Sequence, residues 1–330
     1  MTTALDTQVT AALRRAAVRA TYAPSVHNTQ PWVLKLQRGE LNVMADLSRQ
    51  LHILDPTQRQ LTVSVGCALF NARAALAASG FDAHVERFPD PTNSAFIARV
   101  TATHRVDATI DPIGLYDSVI EQRQTNRRRF TDDDVPVELV ESLERAAADE
   151  GSILLPIRTE DARLAVAMLS QRADEVQLLN PAYRAELRSW TTTDIDRCDG
   201  VPVSAVPHVD GTSEDEVPIR DFDTSGTGWL PAQTHSSRKQ CLLLLGTFSD
   251  APGPWLRAGE ALERILLEIT RRGFAASPLT QVVEVASARA ALRNELGLTW
   301  YPHILLRVGR APLAPASRRR RLVDVLFEEL

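Results

Sequence analysis

Ala23-Pro24-Ser25-Val26-His27-Asn28-Thr29-Gln30-Pro31-Trp32 joins an amphipathic helix pattern to an alternating strand pattern, and the fold turns on how it is read. Pro24 and Pro31 fix two φ angles and remove two backbone donors. Between them Ser25, Asn28, Thr29 and Gln30 set out a row of short hydrogen-bonding side chains. A connection that stiff and that polar suits the holding of something planar and polar. The competing reading is a plain helix-to-strand link. A hydrolase built on Ser25 and His27 is disfavoured, because there is no G-x-S-x-G elbow and no evident carboxylate partner.

Upstream, Val9, Ala12, Leu13, Ala16, Ala17 and Ala20 fall at helical spacing and predict a helix over 6–21. Downstream, Trp32, Leu34 and Leu36 alternate with polar neighbours, Arg38-Gly39-Glu40 interrupts, and Leu41, Val43 and Ala45 alternate again. That is a hairpin. Leu61 to Leu76 predicts a buried helix stopped at Gly80, followed by strands over 81–87 and 96–103. A crossing over 107–113 then opens a second cycle. It comprises helices over 115–123 and from Pro136, a strand over 152–158, and helices over 160–178 and 181–190. A strand over 240–248, helices over 255–272 and 287–296, and a strand over 301–308 complete it. The order in 115–330 repeats that in 1–104 with an insertion at about 191–237. This stretch is rich in Ser, Asp, Gly and Pro, and Trp190, Phe222 and Trp229 could anchor it as a packed flap.

The chain has 330 residues, 44% apolar and 24% charged, enough for a large core. Its net charge of −5 gives no reason to expect nucleic acid. No run approaches the ~18 apolar residues of a membrane helix. Met1 to Asp6 shows no secretory pattern. Cys67, Cys198 and Cys241 are odd in number and widely spaced, so a reducing cytoplasm is the expected home. The seven histidines show no metal-ligand spacing.

The 23–32 stretch resembles the A-P-S-x-x-N-x-Q-P-W loop of the FMN-dependent nitroreductase family. There a dimer builds each flavin site from two subunits. One supplies this loop along the isoalloxazine and ribityl chain, and the other an R-x-S-x-R-x-F segment that grips the phosphate. Arg123-Gln124-Thr125-Asn126-Arg127-Arg128-Arg129-Phe130, followed by Val135-Pro136-Val137, resembles the second piece. Aligned on Phe130, Arg128 matches a basic position and Asn126 the small polar one, with Arg123 one residue early. Arginines ahead of a helix oppose its dipole, so a bound anion explains them better than a solvated surface does. Arg318-Arg319-Arg320-Arg321 ahead of Leu322-Val323 resembles the family's C-terminal basic ending, which also reaches the phosphate. Ser277-Pro278-Leu279-Thr280-Gln281 resembles the stretch near the flavin N5 edge.

The two halves are complementary. Residues 1–22 hold no phosphate segment, and Ala147 to Ser152 stand where the second half would need the polar loop. The chain therefore resembles, over nearly its full length, the Acg-type nitroreductase-like flavoproteins of mycobacteria. That resemblance implies an α+β fold of two fused nitroreductase-like halves, 1–113 and 114–330. It implies one FMN per chain under a lid, a monomer in place of the family dimer, and NAD(P)H as reductant of a nitro or quinone acceptor. The cofactor contacts it implies are Pro24, Ser25, His27, Asn28, Thr29, Gln30, Pro31, Trp32, Arg123, Asn126, Arg127, Arg128, Pro278, Leu279, Thr280, Arg318, Arg319 and Arg320, with no catalytic side chain. The alternative is a protein that stores or withholds FMN.

Overall fold

The computed structural model describes residues 4–106, 111–128, 130–194, 196–206, 217–220, 222 and 240–329. Helix α1 (Ala4–Ala20) runs into the polar loop, which leads to the hairpin of β1 (Trp32–Gln37) and β2 (Glu40–Ala45). Arg38 and Gly39 make its two-residue turn with φ of 50° and 74°, the positive pair that a right-handed hairpin twist requires. Helix α2 (Arg59–Ala78) follows and ends at Gly80 (φ 82°), and β3 (Phe81–Arg87) and β4 (Phe96–His104) complete the first unit.

The expected helix over 115–123 is a 3-10 helix, Pro112–Val119. Gly114 presses on the end of α2, where an added Cβ would meet the Ala78 amide at 2.9 Å. Helix α3 (Val137–Asp149) starts after Pro136, which caps it, and β5 (Ile153–Pro156), α4 (Glu160–Leu178) and α5 (Pro181–Ser189) follow. The chain continues through β6 (Thr191–Thr192), β7 (Val201–Pro202), β8 (Cys241–Thr247) and α6 (Pro252–Arg271). It closes with β9 (Ala275–Pro278), α7 (Gln281–Glu284), α8 (Ala286–Glu295), β10 (Tyr301–Gly309) and β11 (Leu326–Glu329). Strands β6, β7, β9 and β11 were not foreseen. Each is too short to show a period of two.

The duplication is visible in the sheets. Strands β1-β2-β4-β3 and β5-β8-β10-β9 have the same order, and every neighbour within these two sets is antiparallel. A helix precedes the first strand of each set (α1, α3), and another joins the second to the third (α2, α6). The first-to-second connection differs. In the first unit it is a tight turn, and in the second it carries α4, α5 and the β6-β7 pair. The extra chain thus begins well before residue 191. Strand β11 crosses back to pair in parallel with β1, Leu34 opposite Leu326, so the C-terminus is built into the first unit's sheet.

The units meet along α2 and α6. An added Cβ on Gly66 would stand 2.2 Å from the Leu256 carbonyl oxygen, and one on Gly259 2.1 Å from that of Val63. The helices cross backbone to backbone because both positions lack a side chain. Among the described residues α2 is long and apolar enough to cross a membrane by length and composition. However, 89% of its apolar window is buried, as expected of a core helix shared by two units.

Candidate functional site

Beside the α2–α6 crossing lies a pocket, partly open to solvent. Its floor is the helix pair: Val63 and Cys67 from α2, Leu262 and Leu266 from α6. Pro24, Ser25 and His27 of the polar loop form one side, and Thr125, Arg127, Pro278 and Thr280 the other. Ile219, Arg220 and Phe222 roof it. A narrower polar recess continues from it, sharing Pro24, Ser25, Thr125 and Arg127 and adding Asn28, Arg123, Ser317 and Arg319. Together they form one trough, with an apolar wide end and a guanidinium-rich narrow end.

The loop is held in an unusual conformation. His27, Asn28 and Gln30 have φ of 48°, 55° and 50°, a region uncommon for residues other than glycine, in which asparagine and histidine are enriched and glutamine is not. Each such residue costs about 1–3 kcal/mol and persists only where its surroundings fix it. Those surroundings are visible. The Val26 amide donates to Ser64 Oγ at 3.2 Å, and the Gln30 amide to Ser25 Oγ at 2.9 Å. Gln30 Nε2 donates to the Cys198 carbonyl at 2.9 Å, and Asn28 Nδ2 to that of Gly200 at 3.0 Å. The Arg320 amide donates to Gln30 Oε1 at 2.7 Å. Helix α2, the 191–202 stretch and the C-terminal arm therefore all grip this loop.

Its outcome is a buried imidazole turned into the trough. Neither ring nitrogen of His27 has a hydrogen-bond partner among the described residues. Phe222 meets it edge-on, ring centres 5.9 Å apart. Burial, with the Arg220 and Arg127 guanidiniums nearby, holds His27 well below the ordinary histidine pKa. It is therefore neutral at pH 7, with one nitrogen able to donate and the other to accept.

The positive groups are unevenly paired. Arg220 donates to both Glu284 oxygens at 2.8 and 2.6 Å, to Thr280 Oγ1 at 3.1 Å, and to the Tyr183 hydroxyl. Arg123 lies 3.5 Å from Glu263. Arg127 stacks on Phe222, 5.4 Å from the ring centre, and has no carboxylate partner among the described residues. Arg319 donates to the Tyr22 carbonyl at 3.0 Å and to Asn28 Oδ1 at 3.3 Å. Burial and the nearby Arg123 pull its pKa down to about 9. Among the described residues four guanidiniums meet two carboxylates, a balance that favours an anion.

Of the eighteen residues expected at a cofactor site, nine line the trough: Pro24, Ser25, His27, Asn28, Arg123, Arg127, Pro278, Thr280 and Arg319. The others do not. Trp32 is wholly buried in the main core, and Leu279 in a second cluster. Thr29 and Pro31 are buried, and their carbonyls accept from Arg49 and the Asp46 amide. Gln30 is spent on Cys198 and Arg320. Arg320 points back to the Gln30 and Asp324 carbonyls and to Asp46. Arg318 sits in a separate surface hollow near Asp196.

Asn126 and Arg128 also lie away from the trough. The segment is bridged at Thr125 to Ala276. Arg123, Gln124, Thr125 and Arg127 line the trough. Asn126 turns to the Pro312 carbonyl at 2.6 Å, and Arg128 is exposed. The trough-lining residues include an Arg-x-Thr-x-Arg triplet at 123–127. Sequence reading also missed Gln60 and Ser64, which line the pocket from α2. Both sit one helical turn apart on a buried helix that also carries Arg59, Thr62, Asn71 and Arg73, so polarity alone did not single them out. Phe222 is one of the apolar anchors expected for the flap, whereas Arg220 carries no signal.

Cys67 lies in the pocket wall with its thiol donating to the Gly259 carbonyl at 3.2 Å. Burial raises it well above the usual thiol pKa, so it stays protonated and unreactive. Among the described residues no group of three or more His, Cys, Asp or Glu is placed to hold a metal ion. Trp229, Arg129, His208 and His235 lie outside the described residues, as does most of the expected flap.

No protein-family model matches the chain. Two relatives match nearly end to end. "Putative NAD(P)H nitroreductase acg" of Mycobacterium tuberculosis is 31% identical over 328 residues, 98% of this chain and 97% of that protein. "Putative NAD(P)H nitroreductase Rv3131" of the same organism is 34% identical over 315 residues, 93% and 88%. Among solved structures, a nitroreductase with bound FMN from Desulfitobacterium hafniense aligns over 65% of this chain and 98% of its own. Its identity is 12% and its TM-score 0.42. On the two near-full-length relatives, the chain belongs to the nitroreductase family that contains acg and Rv3131.

Proposed function

We propose that the trough holds FMN and that the chain is a flavin oxidoreductase of nitroreductase type using NAD(P)H, with one flavin per chain. The observation that carries this reading is the meeting of three distant stretches around one cavity. These are the 23–28 loop, the 123–127 segment and the C-terminal arm at Ser317 and Arg319. The names of the two relatives support the reductant and the reaction class. The trough fits the group: a wide apolar slot for a planar ring, an unpaired imidazole and guanidinium on its walls, and arginines at the narrow end.

When bound, FMN supplies the hydride and electron-transfer chemistry. The chain's own residues bind and orient it. Arg123 and Arg319 hold the phosphate, with Asn28 fixing Arg319. Arg127 puts a positive charge beside the ring, and neutral His27 offers it one donor and one acceptor. Pro278 and Thr280 flank the far edge, and Phe222 covers the slot from water. No side chain acts as nucleophile or general base in this reading. The units 1–113 and 114–330 each supply part of the site, so a monomer suffices; light scattering of the coloured protein at the mass of one chain is the expected result.

The roof favours a second reading, storage or sequestration of FMN. Phe222 lies against His27 and Arg127, and its neighbour Arg220 is tied to Glu284, Thr280 and Tyr183. Flavin bleaching after mixing with NADPH separates the two. An oxidoreductase bleaches rapidly. A storage protein does not, even with residues 191–237 trimmed. In either case Glu284→Ala, which unties Arg220, should speed access to the ring by about tenfold or more, the weight of one charged hydrogen-bond pair. An unchanged rate would show that the Arg220–Glu284 pair does not hold the roof.

A further inference from the structure

We propose that Asn28 decides which flavin the chain accepts. It walls off the narrow end from a polar hollow, so that a flavin mononucleotide fits and a flavin dinucleotide does not. The hollow is where the second nucleotide lies once that wall is removed. This rests on the reading of the trough as the FMN site. Asn28 and Gly200 line both cavities, the recess on one side and the hollow of Arg318 on the other. Asn28 Nδ2 donates to the Gly200 carbonyl at 3.0 Å and to the Arg318 carbonyl at 3.2 Å. Its Oδ1 accepts from Arg319 at 3.3 Å. One side chain thus ties two distant segments together.

Those segments form a partition. Along the C-terminal arm Ser317 and Arg319 line the recess, while Ala316 and Arg318 line the hollow. On the facing segment Val201 lines the recess, and Asp199 and Pro202 line the hollow. Neighbours that alternate between two cavities place the backbone itself between them. Gly200 is held in that position. Its φ is 75°, its amide donates to the Asn28 carbonyl at 3.3 Å, and an added Cβ would meet the Trp190 carbonyl oxygen at 2.9 Å. The Asn28 amide group closes the gap between the two segments.

A flavin whose phosphate lies between Arg123 and Arg319 ends at this wall. In a dinucleotide the same phosphate carries a second phosphate and a nucleoside, which must pass where the Asn28 amide stands. Passage breaks three hydrogen bonds, one of them to a guanidinium, and together they set a penalty of about a hundredfold in affinity. The hollow beyond has the chemistry of a nucleotide subsite. The Arg318 guanidinium, 3.6 Å from Asp196 and more than half exposed, suits a second phosphate. The Thr192 and Ser204 hydroxyls and the Asp194 carboxylate suit a ribose diol. Arg318 is the basic residue of the C-terminal run that the phosphate reading left without a role. If Asn28 merely braced the loop, its loss would weaken every flavin alike.

The test is calorimetric affinity of the full chain for riboflavin, FMN and FAD. The wild type should prefer FMN to FAD by about a hundredfold or more. Asn28→Gly accepts the φ of 55° without strain and removes the wall. FAD should then bind about tenfold or more tighter than it does to the wild type, while FMN weakens through Arg319. Ser204→Trp fills the hollow and does not line the recess. Added to Asn28→Gly, it should return FAD to its wild-type affinity and leave FMN unchanged. Three results overturn the proposal: a wild type that binds FAD within about threefold of FMN, equal losses for all three flavins in Asn28→Gly, or an FAD gain that survives Ser204→Trp. The first decides alone if the variants do not fold. No binding of any flavin to the wild type would instead overturn the reading of the trough.

Discussion

Arg319→Ala should weaken FMN binding by about 30- to 100-fold while changing riboflavin affinity by less than about threefold. Arg319, like Arg127, lines the narrow end with no direct carboxylate partner among the described residues. It is bound instead to the Tyr22 and Ser317 carbonyls and to Asn28. A charged hydrogen bond to phosphate is worth about 1.5–3 kcal/mol, and a bidentate one reaches the upper end. The variant leaves no carboxylate unmatched, because Glu263 keeps Arg123 at 3.5 Å. Fluorescence titration of both ligands checks it. Equal losses for FMN and riboflavin would mean that Arg319 braces the loop without touching the phosphate.

Gly66→Val should destabilise the fold by about 3 kcal/mol or more, the penalty of forcing apart a tight core. At position 66 even the first carbon of a side chain would overlap the Leu256 carbonyl, and Gly259 faces it across the crossing. Both neighbours are helix backbone, which cannot swing aside. The melting temperature should drop by roughly 5–10 °C. Because Val63, Cys67, Leu262 and Leu266 of these helices floor the pocket, flavin affinity should fall as well. Gly80→Ala, at a turn with open space around it, serves as a control for backbone strain alone. A full melt of Gly66→Val at the wild-type temperature would show that the two units are not joined through this crossing.

The long elements were legible because each carries its own period. Leu61 to Leu76 repeats at helical spacing, and Trp32 to Leu36 alternates. The doubled order of helices and strands followed from them. The loop at 23–32 was legible through its prolines and short polar side chains. Which of its residues face the cavity was not. The strained backbone at His27, Asn28 and Gln30 turns His27 into the trough and leaves Gln30 and Trp32 behind it. No local pattern encodes that rotation, because Ser64, Gly200 and Arg320 impose it from far along the chain. Which residues of 123–130 face the cavity was hidden for a related reason. Phe130 packs under Arg307 and against Gly309, but the placing of Arg123 and Arg127 shows only with the Thr125 bridge. Strand β11 was hidden by its length, and with it the route that carries Arg319 to the seam.

One measurement reaches the central claim, that a single duplicated chain assembles the whole flavin site at its own seam. It is a crystal structure of the chain grown with FMN. The expected result is one FMN per chain, its ring beneath Phe222 and beside His27, its phosphate between Arg123 and Arg319 of that same chain. A flavin elsewhere, or one whose phosphate is held by a second chain, would contradict it.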